Sequence, residues 1–446
     1  MKLRSLILFL FSSAALLAQP KFNSPYSRFG IGDIAANYFA NQAGWGGQTA
    51  AFHDPYHLNL ANPASFAYLR ATALETGIFT KYSQYSSASA SQNEWNGNLA
   101  YLALGFTLKS PINEVLDKNK SPWNHAMGIS LTPYARVGYN IDQRDTLPNL
   151  EDVEQEFTGS GGLFRLAWTG ATKYKNTALG LNLGWVFGKS TYANNTRFYD
   201  TSSVQLPTFQ DNFRQDLAAN GFVWNAGIQH DFVLERSEND KTIPTRWITF
   251  GLSGNGQYQL NAYEDRYQIR SRGQTSSGGF SVADTLFSSV DQRRQITLPS
   301  TFSFGIQYVK ANKLKVGAQA VMENWSDYSN EARPETLRNT FAFSGGVEYT
   351  PDYSSYNRFM KRIRYRAGFY YRQDPRTVSG TNFNDNGITL GVGLPVVLPR
   401  QQASFVNLAL EIGKIGADSP LEETYFRFTA GFTLNDNTWF FKRRFE

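Results

Sequence analysis

Apolar and polar residues alternate with period two through the last third of the chain, from about Leu298 to Leu434. In the final segment, Tyr425–Leu434, one face is wholly apolar and the other is polar or small. Successive side chains of a β-strand point to opposite faces, so this alternation predicts a strand with one apolar and one polar side. The preceding segment, Val406–Gly413, repeats the pattern. Either a protein core or lipid would cover such apolar faces.

Strand-like segments of this kind continue upstream to Ala71, which gives about fourteen in all. An even number in this range is typical of single-chain bacterial outer-membrane barrels. The alternative, a large soluble all-β protein, would need two packed sheets to bury the same faces. The predicted strands are residues 71–86, 95–109, 123–140, 157–171, 177–196, 220–235, 245–264, 301–310, 313–325, 339–350, 361–373, 386–395, 404–414 and 423–434.

The lengths of the predicted connections also indicate a barrel in a membrane. If the first strand rises from the periplasm, the short connections Lys173–Asn176, Ala311–Asn312 and Pro395–Ala403 lie at the inner end. The two longest, Arg197–Ala219 and Asp265–Ser300, then lie at the outer end. Short periplasmic turns and long outer loops are the asymmetry of outer-membrane barrels. The sequence therefore predicts a transmembrane antiparallel β-barrel over residues 71–434.

Composition agrees with a barrel and excludes several other classes. Charged residues make up 18% of the chain and aromatic residues 15%, with a mean hydropathy of −0.41. Such a hydropathy excludes a helical membrane protein but allows a barrel, because half of each strand faces a polar lumen. The chain has no cysteine, which excludes disulfides, thiolate metal sites and lipid anchoring through an N-terminal cysteine. Aromatic residues near predicted strand ends indicate interfacial girdles: Trp95, Trp123, Tyr139, Trp247, Trp325, Tyr328, Tyr349 and Tyr371.

The N-terminus has the pattern of a secretory signal peptide. Lys2 and Arg4 precede an apolar stretch that begins at Leu6, and small residues follow up to Ala18. Residues 1–18 are therefore predicted to be removed after export. Residues 19–70 do not alternate, and glycine and proline interrupt any regular structure there. We expect this segment to form a hatch that fills the lumen.

Ionisable residues on the polar strand faces are the candidate lumen site. A charge on the lipid face would cost about 2–4 kcal/mol near the midplane, so these groups should face inward. Glu411 and Arg427 lie on adjacent strands and are expected to pair. Either an inward arginine, Arg364 or Arg366, holds a carboxylate head group, or the charges form a structural ladder between barrel and hatch. The candidate lumen residues are Arg362, Arg364, Arg366, Glu348, Glu411 and Arg427.

Other candidate chemistry is weaker. Pro133 lies inside the third predicted strand, where a proline marks a bulge, a kink or an edge. His53 and His57 flank Asp54, but Pro55 disfavours the helix that a zinc site would need, and no further ligand is evident. No nucleophile elbow and no phosphate-binding glycine loop are present. The net charge of +6 is dispersed, which disfavours nucleic acid as a partner. We therefore expect neither an enzyme nor a bound metal or cofactor.

Several short motifs resemble the FadL family of outer-membrane transporters for hydrophobic compounds. Asn62-Pro63-Ala64 is similar to the hatch motif of that family, and Leu298–Ile306 resembles a strand that begins with a proline. Glu323–Tyr328 and Arg366–Tyr371, followed by Pro375, are further matches. The opening Ser24–Asp33 and the tail Leu434–Arg444 look like the Bacteroidota branch of the family.

This resemblance implies a fourteen-stranded barrel in the outer membrane of a Gram-negative cell, plugged by a hatch that contains Phe29, Trp45, Asn62 and Pro63. It implies passive uptake of a hydrophobic, fatty-acid-like compound, with sideways release into lipid where the third strand is kinked, at Pro133. Some FadL-like barrels are instead non-transporting scaffold or carrier subunits of secretion or assembly complexes, which would have protein partners. The basic and aromatic tail, residues 435–446, is predicted to be periplasmic, along the inner leaflet, docked on a partner or without fixed structure.

Overall fold

The computed structural model describes residues 22–87, 90–109, 121–145, 152–199, 207–274, 280–378, 380–398, 402–417 and 419–436. The predicted signal peptide, residues 1–18, and residues 437–446 of the predicted tail lie outside this part of the chain. Within it, no helix is long and apolar enough to cross a membrane.

Nearly all regular structure in the described residues belongs to one 18-stranded antiparallel sheet. Short helical segments occur at Pro25–Arg28, Ala40–Ala43, Pro63–Tyr68, Trp325–Asp327 and Phe359–Arg362. The strands are β1 (Asp33–Ile34), β2 (Thr72–Ser87), β3 (Ser91–Thr107), β4 (Trp123–Asp145), β5 (Asp152–Tyr174), β6 (Thr177–Tyr199), β7 (Pro207–Arg236), β8 (Pro244–Asn255), β9 (Tyr258–Gln274), β10 (Phe280–Leu298), β11 (Thr301–Lys310), β12 (Leu314–Glu323), β13 (Ser329–Asn330), β14 (Thr340–Tyr349), β15 (Arg364–Val378), β16 (Thr381–Leu398), β17 (Gln402–Ile415) and β18 (Leu421–Asp436).

The sheet closes on itself because β18 pairs with β2 along its whole length. β8 and β9 are successive stretches of one wall strand, since both pair with β7, and β10 and β11 form the next wall strand in the same way. Over the described residues the result is the predicted closed barrel of fourteen antiparallel strands. We call the end where β2 begins the lower end and the opposite end the upper end.

The prediction of two long upper connections is wrong. Residues 207–219 belong to β7, and residues 258–274 and 280–298 form the paired strands β9 and β10. β7 has 30 residues, whereas a spanning strand needs about 9–11. Above the apolar band the outer face of a strand no longer meets lipid, so apolar alternation stops although the backbone ladder continues. The sequence pattern therefore located the membrane part of these strands and missed their upper extensions.

Alternation along the strands separates an apolar outer face from a polar inner face, as predicted. On β18, Phe426, Phe428 and Phe432 are 42–46% exposed on the outside. On the inside, Glu411 of β17 and Thr429 of β18 are buried. The outer face is thus the surface that lipid would cover, and the inner face surrounds the first part of the chain.

Residues 22–71, which we call the N-terminal segment, lie inside the barrel and pack against its inner face. The contact is close because glycines face inward where the segment approaches the wall. A Cβ atom at Gly251 would collide with the carbonyl oxygen of Ala50, and one at Gly180 would collide with the backbone of Pro63 and Ala64. Backbone-to-backbone packing of this kind leaves little free space in the lower lumen.

Candidate functional site

The barrel wall is interrupted in the upper half of the contact between β3 and β4, a region that we call the seam. β3 pairs with β4 only over Leu102–Thr107, although β3 itself begins at Ser91. The pairing of β4 with β5 shifts between Pro133 and Ala135, and that of β3 with β2 shifts at the same level, next to Ala100. A bulge bends its strand, and proline has no N–H to donate. The two strands therefore separate above Leu131, at the place where Pro133 was predicted to mark a bulge or kink.

Part of the N-terminal segment occupies the seam in place of the missing ladder. Asp33 and Ile34, which form β1, pair antiparallel with Arg136 and Ala135 of β4. Arg136 also reaches across the opening, where its Nη2 donates a hydrogen bond to the carbonyl oxygen of Leu99 on β3 at 3.1 Å. The wall at this level is thus completed by a strand from inside the barrel.

A second contact closes the seam higher up. The backbone N–H of Asn23 donates to Oδ1 of Asn96 on β3 at 2.6 Å, and the N–H of Asn140 on β4 donates to Oδ1 of Asn23 at 3.2 Å. The N–H of Ser24 donates to the carbonyl oxygen of Gly138 on β4 at 2.7 Å. Asn23 therefore bridges the two separated strands, and opening the seam requires these hydrogen bonds to break.

Buried charges fix the N-terminal segment to the lower wall. Oδ2 of Asp54 accepts from Nη1 of Arg364 and from Nζ of Lys315, each at 2.9 Å. Nε of Arg366 donates to Oε2 of Glu348 at 2.7 Å, and Lys315 lies 3.2 Å from the same carboxylate. Both arginines proposed from the sequence as head-group ligands thus already bind protein carboxylates. This arrangement favours the alternative hypothesis of a structural ladder between barrel and hatch.

His57 extends this buried network. Its Nδ1 lies 3.1 Å from Oδ1 of Asp54, and its Nε2 lies 3.1 Å from Nδ2 of Asn407. Burial lowers the pKa of His57 to about 4, although Asp54 acts in the opposite direction. Burial alone would raise the pKa of Asp54, but Arg364 and Lys315 hold it well below its usual range. At neutral pH the network therefore holds an ionised Asp54 and a neutral His57.

The two histidines that flank Asp54 face different partners. Nε2 of His53 lies 3.2 Å from Oδ1 of Asp231 on β7 and 3.2 Å from Oγ1 of Thr249 on β8. His57 faces Asn407 on β17 instead. The described residues contain no group of three or more histidine or acidic side chains that would hold a metal ion.

Of the remaining predicted lumen residues, two pair as expected and one lies elsewhere. Glu411 and Arg427 are register partners on β17 and β18, with Nε of Arg427 3.5 Å from Oε2 of Glu411. Glu411 also accepts from the hydroxyl of Tyr38 at 2.7 Å. Arg362, predicted on the lumen face, instead ends the short helix at the lower end, because β15 begins only at Arg364.

Asn62 and Pro63 organise the lower part of the N-terminal segment. The side chain of Asn62 accepts from the N–H of Ala64 at 3.1 Å and donates to the carbonyl oxygen of Ala50 at 2.6 Å. Asn62 thereby caps the helical turn Pro63–Tyr68, and Pro63 occupies its first position, where no N–H is needed. The motif thus serves the internal structure of the segment.

The two predicted aromatic hatch residues lie at different levels. Trp45 is fully buried and packs edge-on against Phe52, with ring centroids 5.6 Å apart. Phe29 follows the helical turn Pro25–Arg28 near the upper end, and its N–H donates to the carbonyl oxygen of Tyr26 at 3.2 Å. Both residues belong to the N-terminal segment, as predicted, but they line no common surface.

A cavity of about 340 Å³ lies between the N-terminal segment and the wall. Ile34, Pro133 and Tyr134 line it on the side of the seam, and Trp325 and Gln319 line the opposite wall. Its lining mixes apolar rings with amide and hydroxyl groups, which is the usual character of a small-molecule site. A compound in this cavity would lie directly behind β1.

Arg165 of β5 faces this cavity and was missed from the sequence. Its Nη2 donates to Oδ1 of Asn37 at 2.9 Å, and its Nε has no hydrogen-bond partner. Within the described part of the chain, no acidic residue forms an ion pair with it. Its neighbours Phe164 and Leu166 are 46% and 48% exposed on the outer face. That alternation was the available signal, since it places Arg165 on the inside.

The closed barrel, the filled lumen and the interrupted wall define the class of fold, a FadL-like barrel. The Pseudomonas putida toluene transporter TodX has 13% sequence identity, with 92% of this chain and 100% of TodX covered and a TM-score of 0.55. The Ralstonia pickettii toluene transporter TbuX has 12% identity, with 90% and 99% covered and a TM-score of 0.52. A Pseudomonas aeruginosa FadL homologue has 12% identity, the same coverage and a TM-score of 0.53. These likenesses confirm the expected FadL-like fold.

Within this class, the sequence matches the BamG family over residues 1–446, and the chain belongs to that family. No curated protein matches the sequence. The family match covers the whole chain, including the parts that form the seam and the N-terminal segment.

Proposed function

We propose that this protein binds hydrophobic, fatty-acid-like compounds in the outer membrane of a Gram-negative cell and lets them pass by diffusion. The observation that carries the proposal is the cavity of about 340 Å³ directly behind the seam. TodX and TbuX are toluene transporters, which supports the same class of activity here. Passive diffusion needs no cofactor, and the chemistry of the site demands none.

The route runs from the upper end through the cavity to the seam. The lower end carries tight turns, such as residues 175–176 and 311–313, which supports a periplasmic position for it. A compound that leaves the cavity sideways must displace β1 and the contacts of Asn23. Movement of residues 23–35 is therefore the gating step of this proposal, and the charged contacts of Asp54 keep the rest of the N-terminal segment in place.

Arg165 supplies the polar end of the proposed ligand site. Its guanidinium group is enclosed in the barrel and faces the cavity, and its donors have no acidic partner among the described residues. A carboxylate head group would satisfy these donors through charge-assisted hydrogen bonds. The apolar tail would then lie along Tyr134 and Trp325.

Retention of a labelled long-chain fatty acid by purified Arg165→Met protein tests this site. A hydrogen bond to a charged group is worth about 1.5–3 kcal/mol, so retention should weaken roughly ten-fold or more. Arg214→Met, on the exposed upper part of β7, removes the same charge away from the cavity and should retain the ligand. Equal retention by folded Arg165→Met protein would remove the head-group role.

A second candidate function is that of a non-transporting subunit in an outer-membrane secretion or assembly complex. The match to BamG over residues 1–446 favours this candidate, and so does the densely filled lower lumen. Isolation of the complete protein from membranes in mild detergent separates the two functions. Lipid or fatty acid extracted with the barrel supports transport, whereas a protein partner in constant ratio, with an empty cavity, supports the subunit.

A further inference from the structure

The turn between β14 and β15, residues 350–363, exposes large apolar side chains at the lower end. We call it the lower turn. Tyr356 is 93% exposed, Met360 is 64% exposed and Phe359 is 45% exposed. These side chains lie below the spanning strands, so the apolar band of the barrel wall does not itself account for them. Their exposure to water would be unfavourable, because apolar surface is more stable when it is removed from water.

Cationic side chains accompany these apolar residues. Arg358, Lys361 and Arg362 surround Phe359 and Met360 in the sequence, and residues 353–363 contain no acidic residue. The guanidinium group of Arg362 lies 5.5 Å from the ring centroid of Phe359. Apolar side chains flanked by cations are the pattern of segments that lie in the interface of a membrane with anionic lipids.

The lower turn also continues the outer face of the barrel. The hydroxyl of Tyr365 donates to the carbonyl oxygen of Met360 at 3.1 Å. Tyr365 and its register partner Tyr349 point outward, because their neighbours Arg366 and Glu348 face the lumen. Tyr349 is 43% exposed and belongs to the lower aromatic girdle, where rings lie at the level of lipid head groups. The helix Phe359–Arg362 is therefore attached to the rim of the surface that lipid covers.

We propose that the lower turn is a binding site for anionic phospholipid of the inner leaflet. Phe359 and Met360 enter the boundary between head groups and acyl chains. Arg358, Lys361 and Arg362 bind lipid phosphate groups through the attraction between their positive charges and the anionic head groups. The site requires that the barrel lie in a bilayer, but it is independent of whether the barrel transports a ligand.

The depth at which the lower turn enters the bilayer can be measured with a single introduced cysteine, because the chain has none of its own. Met360→Cys in the full-length protein, labelled with an environment-sensitive fluorophore, is reconstituted into vesicles of phosphatidylcholine and phosphatidylglycerol with brominated acyl chains. We expect a blue-shifted emission that the bromine quenches. Asn239→Cys, exposed in another lower turn, is the matched control and should stay unquenched. Unquenched, water-like emission from Met360→Cys would overturn the proposal and leave a protein partner as the remaining occupant.

The charges are tested separately from insertion. Arg358→Gln, Lys361→Gln and Arg362→Gln are combined, and the phosphatidylglycerol that remains with the purified barrel is measured against phosphatidylcholine. We expect the enrichment of the anionic lipid to fall at least five-fold relative to the unchanged protein. Since these side chains lie outside the barrel strands, heat-resistant migration on a gel should show that the variant still folds. Unchanged enrichment in the folded variant would contradict the proposed phosphate contacts.

Discussion

At the scale of single residues, Asp54 is the strongest link between the N-terminal segment and the wall. Its carboxylate is buried and shared by Arg364 and Lys315. Arg364→Met removes one partner and leaves a buried charge less well compensated, so we expect a loss of about 3 kcal/mol in the free energy of unfolding. Urea unfolding in detergent, followed by tryptophan fluorescence, measures it.

The matched control for that substitution is Lys313→Met. Lys313 is exposed in the turn between β11 and β12, so its replacement should change the free energy of unfolding by less than about 0.5 kcal/mol. Similar values for the two variants would mean that the buried contacts of Asp54 do not hold the segment.

The same residues show how far sequence reasoning reaches. Strand alternation correctly placed Arg364 and Arg366 inside, because the face on which a strand residue lies depends only on the two-residue alternation of its sequence neighbours. The partner of Arg364 could not be predicted, since Asp54 is 310 residues away and lies outside any strand. Arg165 was predictable by the same rule, but its segment alternates less cleanly than the closing strands.

At the scale of structural elements, the seam depends on Pro133 and on the bulges beside it. Pro133→Val removes the ring that disrupts the strand at this level, so the ladder between β3 and β4 should extend above Leu131. Hydrogen exchange should then slow at residues 99–101 of β3, and uptake of a hydrophobic compound should fall several-fold. Pro395→Val, in the ladder between β16 and β17, is the control and should change neither. Faster exchange would show that the ladder does not extend in the variant. Unchanged uptake would show that transport does not depend on the kink at Pro133.

Elements were predicted well where lipid imposes the pattern and poorly where it does not. The lower halves of the strands alternate because one face meets lipid and the other meets the N-terminal segment. The upper extensions, such as residues 265–274 and 280–298, show no regular apolar alternation, so their sequence resembles that of loops. The seam itself was marked only by Pro133, and the strand that fills it, β1, has just two residues.

At the scale of the whole molecule, the N-terminal segment closes the barrel in two places, the lower lumen and the seam. Residues 22–71 fill the lower lumen, and residues 23–35 complete the wall at the seam. The proposed transport requires residues 23–35 to leave the seam while the buried charges around Asp54 hold the remainder of the N-terminal segment in the lumen. A non-transporting subunit would keep both closed. Uptake with the seam locked therefore distinguishes the two functions.

A reversible disulfide lock is the most direct test. Ile34 and Ala135 are register partners across β1 and β4, within disulfide reach, and the chain has no cysteine of its own. Ile34→Cys with Ala135→Cys should abolish fatty-acid uptake into vesicles when oxidised and restore it when reduced. Leu410→Cys with Phe428→Cys, which links β17 to β18 on the outer face, away from the N-terminal segment, should have no effect in either state. Uptake that continues through the oxidised Ile34–Ala135 lock would contradict the account.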